Sequence, residues 1–258
     1  MQLAMSIVSA GIAFFVLMLI FRPLEAVFPA KPQQKFLRPA FLTDLCFLLG
    51  QYVLFNGLTL LALQYLEPWI AAAVPATLRD TVHAWPWWLQ AILVIALGDL
   101  LIYWGHRFQH NVGFLWRFHA IHHSSEHLDW LAAHREHPLD SIYTITIVNA
   151  PMFALGFPLE TLAAFAAFRG LWAVFIHSNV RLPVGPLRVL LGAPELHHWH
   201  HDRSRFAGNY ANVSPLMDKL FGTYHCPDHE PHSFGIEEPM PKSYLGQLLH
   251  PFTSRRKH

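Results

Sequence analysis

Charged side chains are scarce in this sequence. Lys, Arg, Asp and Glu make up 14% of its 258 residues, against roughly 25% in an ordinary soluble domain. With 53% hydrophobic residues and a mean hydropathy of +0.27, that deficit points to a membrane protein. Neither sign of charge is in excess. A net charge of +1 creates no field that would draw in nucleic acid, so no nucleic-acid partner is expected. Cysteine is nearly missing. Cys46 and Cys226 stand far apart and form neither a disulfide framework nor a Cys-x-x-Cys site, so any metal must be held by nitrogen and oxygen. Alternating strand patterns, internal repeats and low-complexity tracts are absent. So are a flavin or dinucleotide fingerprint and a second electron-transfer domain. What the chain has in abundance is histidine, with 19 residues, most of them crowded into two regions.

The expected fold is all-α, an integral membrane helical bundle under a cytoplasmic, histidine-rich cap for two metal ions. Residues 3–21 form an uncharged apolar run about as long as a bilayer-spanning helix requires, ~20 residues. No positive segment precedes it and it is long for a signal sequence, so it reads as a retained helix. A second span is expected over 41–66, with only Asp44 charged before its end. A loop or short surface helix follows over 67–86, then a third span over 87–104. Trp85, Trp87 and Trp88 suit an interfacial aromatic belt. Residues 141–176 hold two further apolar segments broken by Gly156-Phe157-Pro158, which predicts a hairpin that dips into the membrane and returns. Arg22, Lys31, Lys35 and Arg38 mark the loop after the first span as cytoplasmic. Counting onward puts His106, His177 and the whole of 180–258, including the C-terminus, on that same side. Three regions result: membrane helices over 1–86, a catalytic region over 87–224 and a cytoplasmic tail over 225–258.

His106 and His110 are spaced i, i+4, which stacks them on one helix face. His119, His122 and His123 follow at i, i+3, i+4, and His197, His200 and His201 repeat that spacing, whereas His198 points elsewhere on a regular helix. Imidazole is a common ligand of iron, zinc, copper and nickel. Eight ligands exceed what one ion uses, since a tetrahedral zinc takes four and an octahedral ion six, so two ions are the economical reading. His137 and His177 are singletons. His225, His229 and His232 read as a solvated loop. Asp99 and Tyr103 share a helix face with His106, and an acid inside a span is costly. Asp99 therefore reads as an acceptor for an imidazole N–H, and Glu195 as either a similar acceptor or a surface charge. On residues alone, a bis-histidine haem protein and a zinc hydrolase remain open. Haem would leave most of the histidines idle, and a zinc hydrolase would need fewer of them and usually a carboxylate base.

The ordered set is specific. It runs Asp99…Tyr103-Trp104-x-His106-Arg107-x-x-His110, then Trp116-Arg-Phe-His119-x-x-His122-His123-Ser124, then Arg135-x-His137-Pro138. The later part is His177-x-Asn179, His197-x-x-His200-His201, Asn209-Tyr210 and Asp218-Lys-Leu-Phe221-Gly222-Thr223. Together these resemble the fatty acid hydroxylase/sterol desaturase superfamily, over about half of the chain. Met217, Ala173 and His198 depart from the residues usual there. The resemblance implies a membrane oxidoreductase with a non-haem di-iron centre that uses O2 to hydroxylate or desaturate an unactivated C–H bond of a lipid, such as a fatty acyl chain or sterol. Ether-lipid or carotenoid oxidation is the alternative within the same chemistry. By position, the implied ligands are His106, His110, His119, His122, His123, His197, His200 and His201, with His137 and His177 added. Asp99, Tyr103, Asn179 and Glu195 are the expected supporting residues. A separate electron donor of ferredoxin or cytochrome b5 type, with its reductase, is implied as partner.

Overall fold

The computed structural model describes residues 2–55, 65, 68–69, 72–182, 185–204 and 208–253. The described residues are helical, and only the isolated bridges Pro29–Val180 and Asp202–Phe234 stand in for strands. Helix α1, Gln2–Val27, runs past the expected 3–21 and takes in Arg22, Pro23 and Glu25, so Arg22 lies in the helix and not in the loop after it. Helix α2, Phe41–Gly50, continues as a π-helical stretch, Gln51–Phe55. The rest of the expected second span, 56–64 and 66, lies outside the described residues. Helix α3, Ala76–His83, is the short surface helix. Helix α4, Trp87–Asn111, extends well beyond the expected 104. At 1.5 Å per residue its 25 residues reach about 37 Å, more than the ~30 Å hydrocarbon layer. Its last turns, which carry His106 and His110, therefore extend past a membrane that its apolar part crosses.

The predicted hairpin is present as α6, Pro138–Ala154, and α7, Leu159–His177. Gly156 makes the turn with φ of +86°, a left-handed conformation that costs glycine least. A Cβ there would also lie 3.2 Å from the Arg79 backbone. Among the described residues three helices are long and apolar enough to cross a membrane: α1 over Ala4–Val27, α4 and α7. Two apolar cores bind the bundle. Val82, Val94, Ile102, Met152 and Phe165 join α3, α4, α6 and α7. Leu17, Phe21, Leu48, Trp130 and Val174 join α1, α2, α7 and the segment ahead of the 3-10 turn Ala132–His134. Gly98 allows α4 and α7 to close, since a Cβ there would sit 2.5 Å from the Phe165 ring.

The remaining elements form a cap: α5, Gly113–His123, α8, Pro194–His200, α9, Leu216–Leu220, and α10, Tyr244–Thr253. The C-terminal ends of α1, α4 and α7 all meet it. Arg181 N–H donates to Phe28 O at 2.8 Å and Ala30 N–H to Asn179 O at 3.1 Å, tying the loop after α1 to the segment after α7. A buried network of charges fixes the other side. Arg38 reaches Asp44 at 2.7 Å and Asp129 at 2.6 Å, and Arg135 also pairs with Asp44. Taking one member from such a network leaves uncompensated charge in a low dielectric. Asp44→Ala leaves Arg135 without its carboxylate and Arg38 with Asp129 alone, and is expected to cost about 3–5 kcal/mol. The measurement is the thermal unfolding midpoint of the purified chain in detergent, and an unchanged midpoint would show that the network does not support the cap.

Candidate metal centre

Three pieces of helix supply the rings. The end of α4 brings His106 and His110, α5 brings His119, His122 and His123, and α8 with the residue after it brings His197, His200 and His201. The last residue of α7 adds His177. These nine sort into two groups whose possible ligand atoms lie within 4.8 Å of one another: His106, His110, His119, His123 and His200 in one, His122, His177, His197 and His201 in the other. The groups share a wall, where the rings of His123 and His201 stack with centroids 4.2 Å apart.

The tautomers follow from the partners. Nδ1 of His106 faces Tyr210 O at 2.9 Å, that of His122 faces Arg135 O at 3.2 Å, that of His177 faces Ala173 O at 2.6 Å and that of His200 faces Gly208 O at 2.8 Å. Nδ1 of His119 faces the Asp140 carboxylate at 2.8 Å. A carbonyl oxygen only accepts, so the four Nδ1 atoms that face carbonyls carry the proton and each of those neutral rings presents a bare lone pair at Nε2. Burial raises the Asp140 carboxyl to about 7, and with Asp140 ionised His119 does the same. Yet Nε2 of His106 and His119 are 3.1 Å apart, and Nε2 of His122 and His177 are 2.9 Å apart. Between neutral rings neither contact has a proton to share. Lone pairs aimed at one another require a cation between them. Several further nitrogens are buried without any partner: both of His110, Nε2 of His200, and Nδ1 of His197 and His201.

Burial keeps the rings neutral. It is the largest cause that holds His119 down to about 3 and His122, His123, His197, His200 and His201 well below the ordinary 6.5, with neighbouring imidazoles adding to the effect at all of these but His119. Neutral imidazole is the form that binds a metal. The donor set therefore fits metal ions, and holds them by nitrogen alone, as the lack of cysteine requires.

The supporting residues differ from those expected on sequence. Asp99 accepts no imidazole proton. Its carboxylate takes the backbone N–H groups of Asn212, Val213 and Ser214 at 3.2, 2.8 and 3.0 Å. Three such donors in one turn of loop outcompete a ring on the same helix face. Tyr103 is hydrogen-bonded to Thr223 at 3.0 Å and accepts from Arg107. Glu195 lies between Arg181 and Arg188 at 3.9 and 3.8 Å. Asn179 closes a pair of bonds with the Lys31 backbone. None of these three side chains hydrogen-bonds a ring of the nine. His137 stands apart from both groups as well. It caps α6, its Nδ1 accepting from Leu139 N–H, and its Nε2 faces Leu248 O. His198 faces Glu230 and Ser178 O, away from both groups.

The carboxylate that does reach a ring is Asp140, which the sequence reading overlooked. One oxygen faces His119 and the other accepts from Gln109 at 2.7 Å. The available signal was a lone acid in the first turn of an apolar helix. Asp99 contributes through the main chain: with Asp218, which accepts from Tyr210 and Ala211 N–H, it pins the loop whose carbonyls orient His106 and His200. His106, His119, His122, His177 and His197 also face a cavity of about 550 Å³ between the helices, a size typical of small-molecule sites.

Residues 91–223 match the fatty acid hydroxylase family. The chain belongs to that family. Ornithine lipid hydroxylase OlsE of Rhizobium tropici is 33% identical over 174 residues, 66% of this chain and 53% of that protein. Human alkylglycerol monooxygenase is 37% identical over 158 residues, 60% of this chain and 34% of that protein. The Delta(7)-sterol 5(6)-desaturase ERG3A of Gibberella zeae is 34% identical over 154 residues, 59% of this chain and 42% of that protein. The chain thus spans between a third and about half the length of these relatives. No solved structure matches it.

Three outcomes are expected. Asp140→Ala removes the acceptor that orients His119 and lowers metal affinity about 10–100-fold, read by elemental analysis after dialysis against a graded chelator, whereas His137→Ala leaves metal retention unchanged. In the chain stripped of metal, the unfolded state takes up protons below pH 6.5 while the buried rings do not. Stability is therefore full above that pH and falls as the pH drops from 6.5 toward about 3, the unfolded state binding more protons throughout. Unfolding midpoints measured across that window would be flat if the rings were free to protonate in place.

Proposed function

We propose that this chain is a membrane-embedded, O2-dependent di-iron enzyme that oxidises a C–H bond of a lipid, by hydroxylation or desaturation. The observation that carries this reading is the pair of imidazole groups whose lone pairs converge, sharing a wall and facing one cavity. In this reading His106, His110, His119, His123 and His200 hold one iron, and His122, His177, His197 and His201 hold the other. When bound and reduced, the iron pair supplies O2 activation and an oxidant able to take hydrogen from an unactivated methylene.

The protein's own share is geometric and electrostatic. Main-chain carbonyls and Asp140 fix each ring, so the donor set is organised before anything binds. Ile102, Ile147 and Val174 give the cavity apolar walls that exclude water and align the lipid. A haem reading suffers from the spacing: facing ring nitrogens 2.8–3.1 Å apart leave no room for a macrocycle. A four-coordinate zinc would leave five rings without a role.

The cap and the C-terminus face the cytoplasm, a reading supported by the basic residues of the loop after α1, which packs on the cap. There a separate ferredoxin or cytochrome b5 type donor delivers electrons. Membranes from cells with and without the protein, compared by lipid mass spectrometry, are expected to differ by a species 16 daltons heavier, or 2 daltons lighter for desaturation. The purified chain is expected to carry two irons. His122→Ala should reduce that content and abolish the product. Zinc in place of iron, or an unaltered lipid profile with iron bound, would end the proposal.

A further inference from the structure

Arg169 lies in the middle of α7, one of the three helices apolar enough to cross a membrane. A guanidinium there is expensive and calls for a partner. Among the described residues it donates no hydrogen bond and forms no ion pair. It lines the same cavity as His106, His119, His122, His177 and His197. Glu136, just before α6, lines the same cavity. The two charges act on one another through space without closing into a salt bridge, and both are half-buried rather than sealed in the protein. The Glu136 carboxylate is held by the Ser141 side chain and not by the guanidinium. Held apart in a chamber, the pair presents one positive and one negative group to whatever enters.

We infer that Arg169 and Glu136 clamp the polar end of a zwitterionic lipid, Arg169 taking its carboxylate and Glu136 its ammonium. Charge balance selects this class. Besides the histidines, Arg169 and Glu136 are, among the described residues, the basic and acidic side chains that line the chamber, one of each sign, and a head group with one charge of each sign pairs both. A simple anion would leave Glu136 opposed to it, and a neutral alcohol or sterol would leave both charges desolvated and unpaired. The guanidinium fork suits a carboxylate, which it binds in bidentate fashion. Position adds a second element. Arg169 precedes His177 by two helical turns, about 12 Å along the axis at 1.5 Å per residue. A lipid gripped there brings the first bonds beyond its charged end toward the imidazoles, so oxidation falls on or near the head group and not at the far end of an acyl tail. The inference takes from the proposed function only that this cavity is the substrate site.

The test is equilibrium binding to the full-length chain in detergent, kept anaerobic and matched for metal content, so that no turnover is needed. The probes are N-palmitoylornithine, with a free ammonium and carboxylate, its methyl ester, which lacks the carboxylate, and N-palmitoylnorvaline, which lacks the ammonium. Arg169→Gln should weaken N-palmitoylornithine and N-palmitoylnorvaline about 10-fold or more and leave the methyl ester unchanged. Glu136→Gln should weaken N-palmitoylornithine and the methyl ester and spare N-palmitoylnorvaline. Arg169→Lys, which keeps the charge, should retain part of the affinity. Equal binding by wild type and variants, or a loss of the same size for all three probes, would overturn the clamp. Head-group binding without any oxidised product would instead count against the oxidase reading and leave the clamp standing.

Discussion

Unshared electron pairs on opposing imidazoles are the constraint on which the rest of this structure depends. Left alone they repel, and each ring has been removed from water, which would otherwise satisfy its nitrogens. The protein accepts this arrangement because the other edge of five rings is fixed: Nδ1 is bonded to Tyr210, Arg135, Ala173 and Gly208 carbonyls and to Asp140. Those bonds choose the tautomer. The burial that removes water also keeps the rings uncharged, so a cation can settle among them without first displacing protons.

Holding nine rings from four parts of the chain takes supports that lie away from them. Asp99 and Asp218 each gather backbone N–H groups of the 208–214 loop, and that loop presents the carbonyls facing His106 and His200. On the opposite side Arg38, Asp44, Asp129 and Arg135 form a closed set of charges, and the Arg135 carbonyl faces His122. Each network is buried, and each meets the centre through a main-chain oxygen. Below them the apolar contacts of α4, α6 and α7 keep the cavity open against the same rings.

The ring spacings were legible in the sequence because i, i+3 and i, i+4 are properties of any helix, and α4, α5 and α8 are helices. The turn at Gly156 was legible for a similar local reason. The roles of Asp99, Tyr103, Asn179 and Glu195 were not, because the first three are decided by segments more than 100 residues away and Glu195 by arginines of the preceding segment, whose paths no spacing encodes. His137 illustrates the same limit: Arg-x-His-Pro marks the start of α6, where a side-chain acceptor is needed at the cap, and nothing in the motif separates capping from ligation. Asp140 escaped notice because it lies in another helix from His119, and only the packing of α5 against α6 makes them neighbours. Arg169 was hidden in an apolar run that read as a simple hairpin.

Four of the five acceptors that set the rings are peptide oxygens. Replacing a side chain does not delete a peptide oxygen, so ring orientation is insulated from most single mutations and vulnerable mainly to those that reroute the chain. Lineages descended from such an ancestor are free to exchange the residues that carry these oxygens, provided the backbone trace is preserved. Identity near one third is therefore compatible with an unaltered ring arrangement, while the walls facing the lipid are at liberty to diversify.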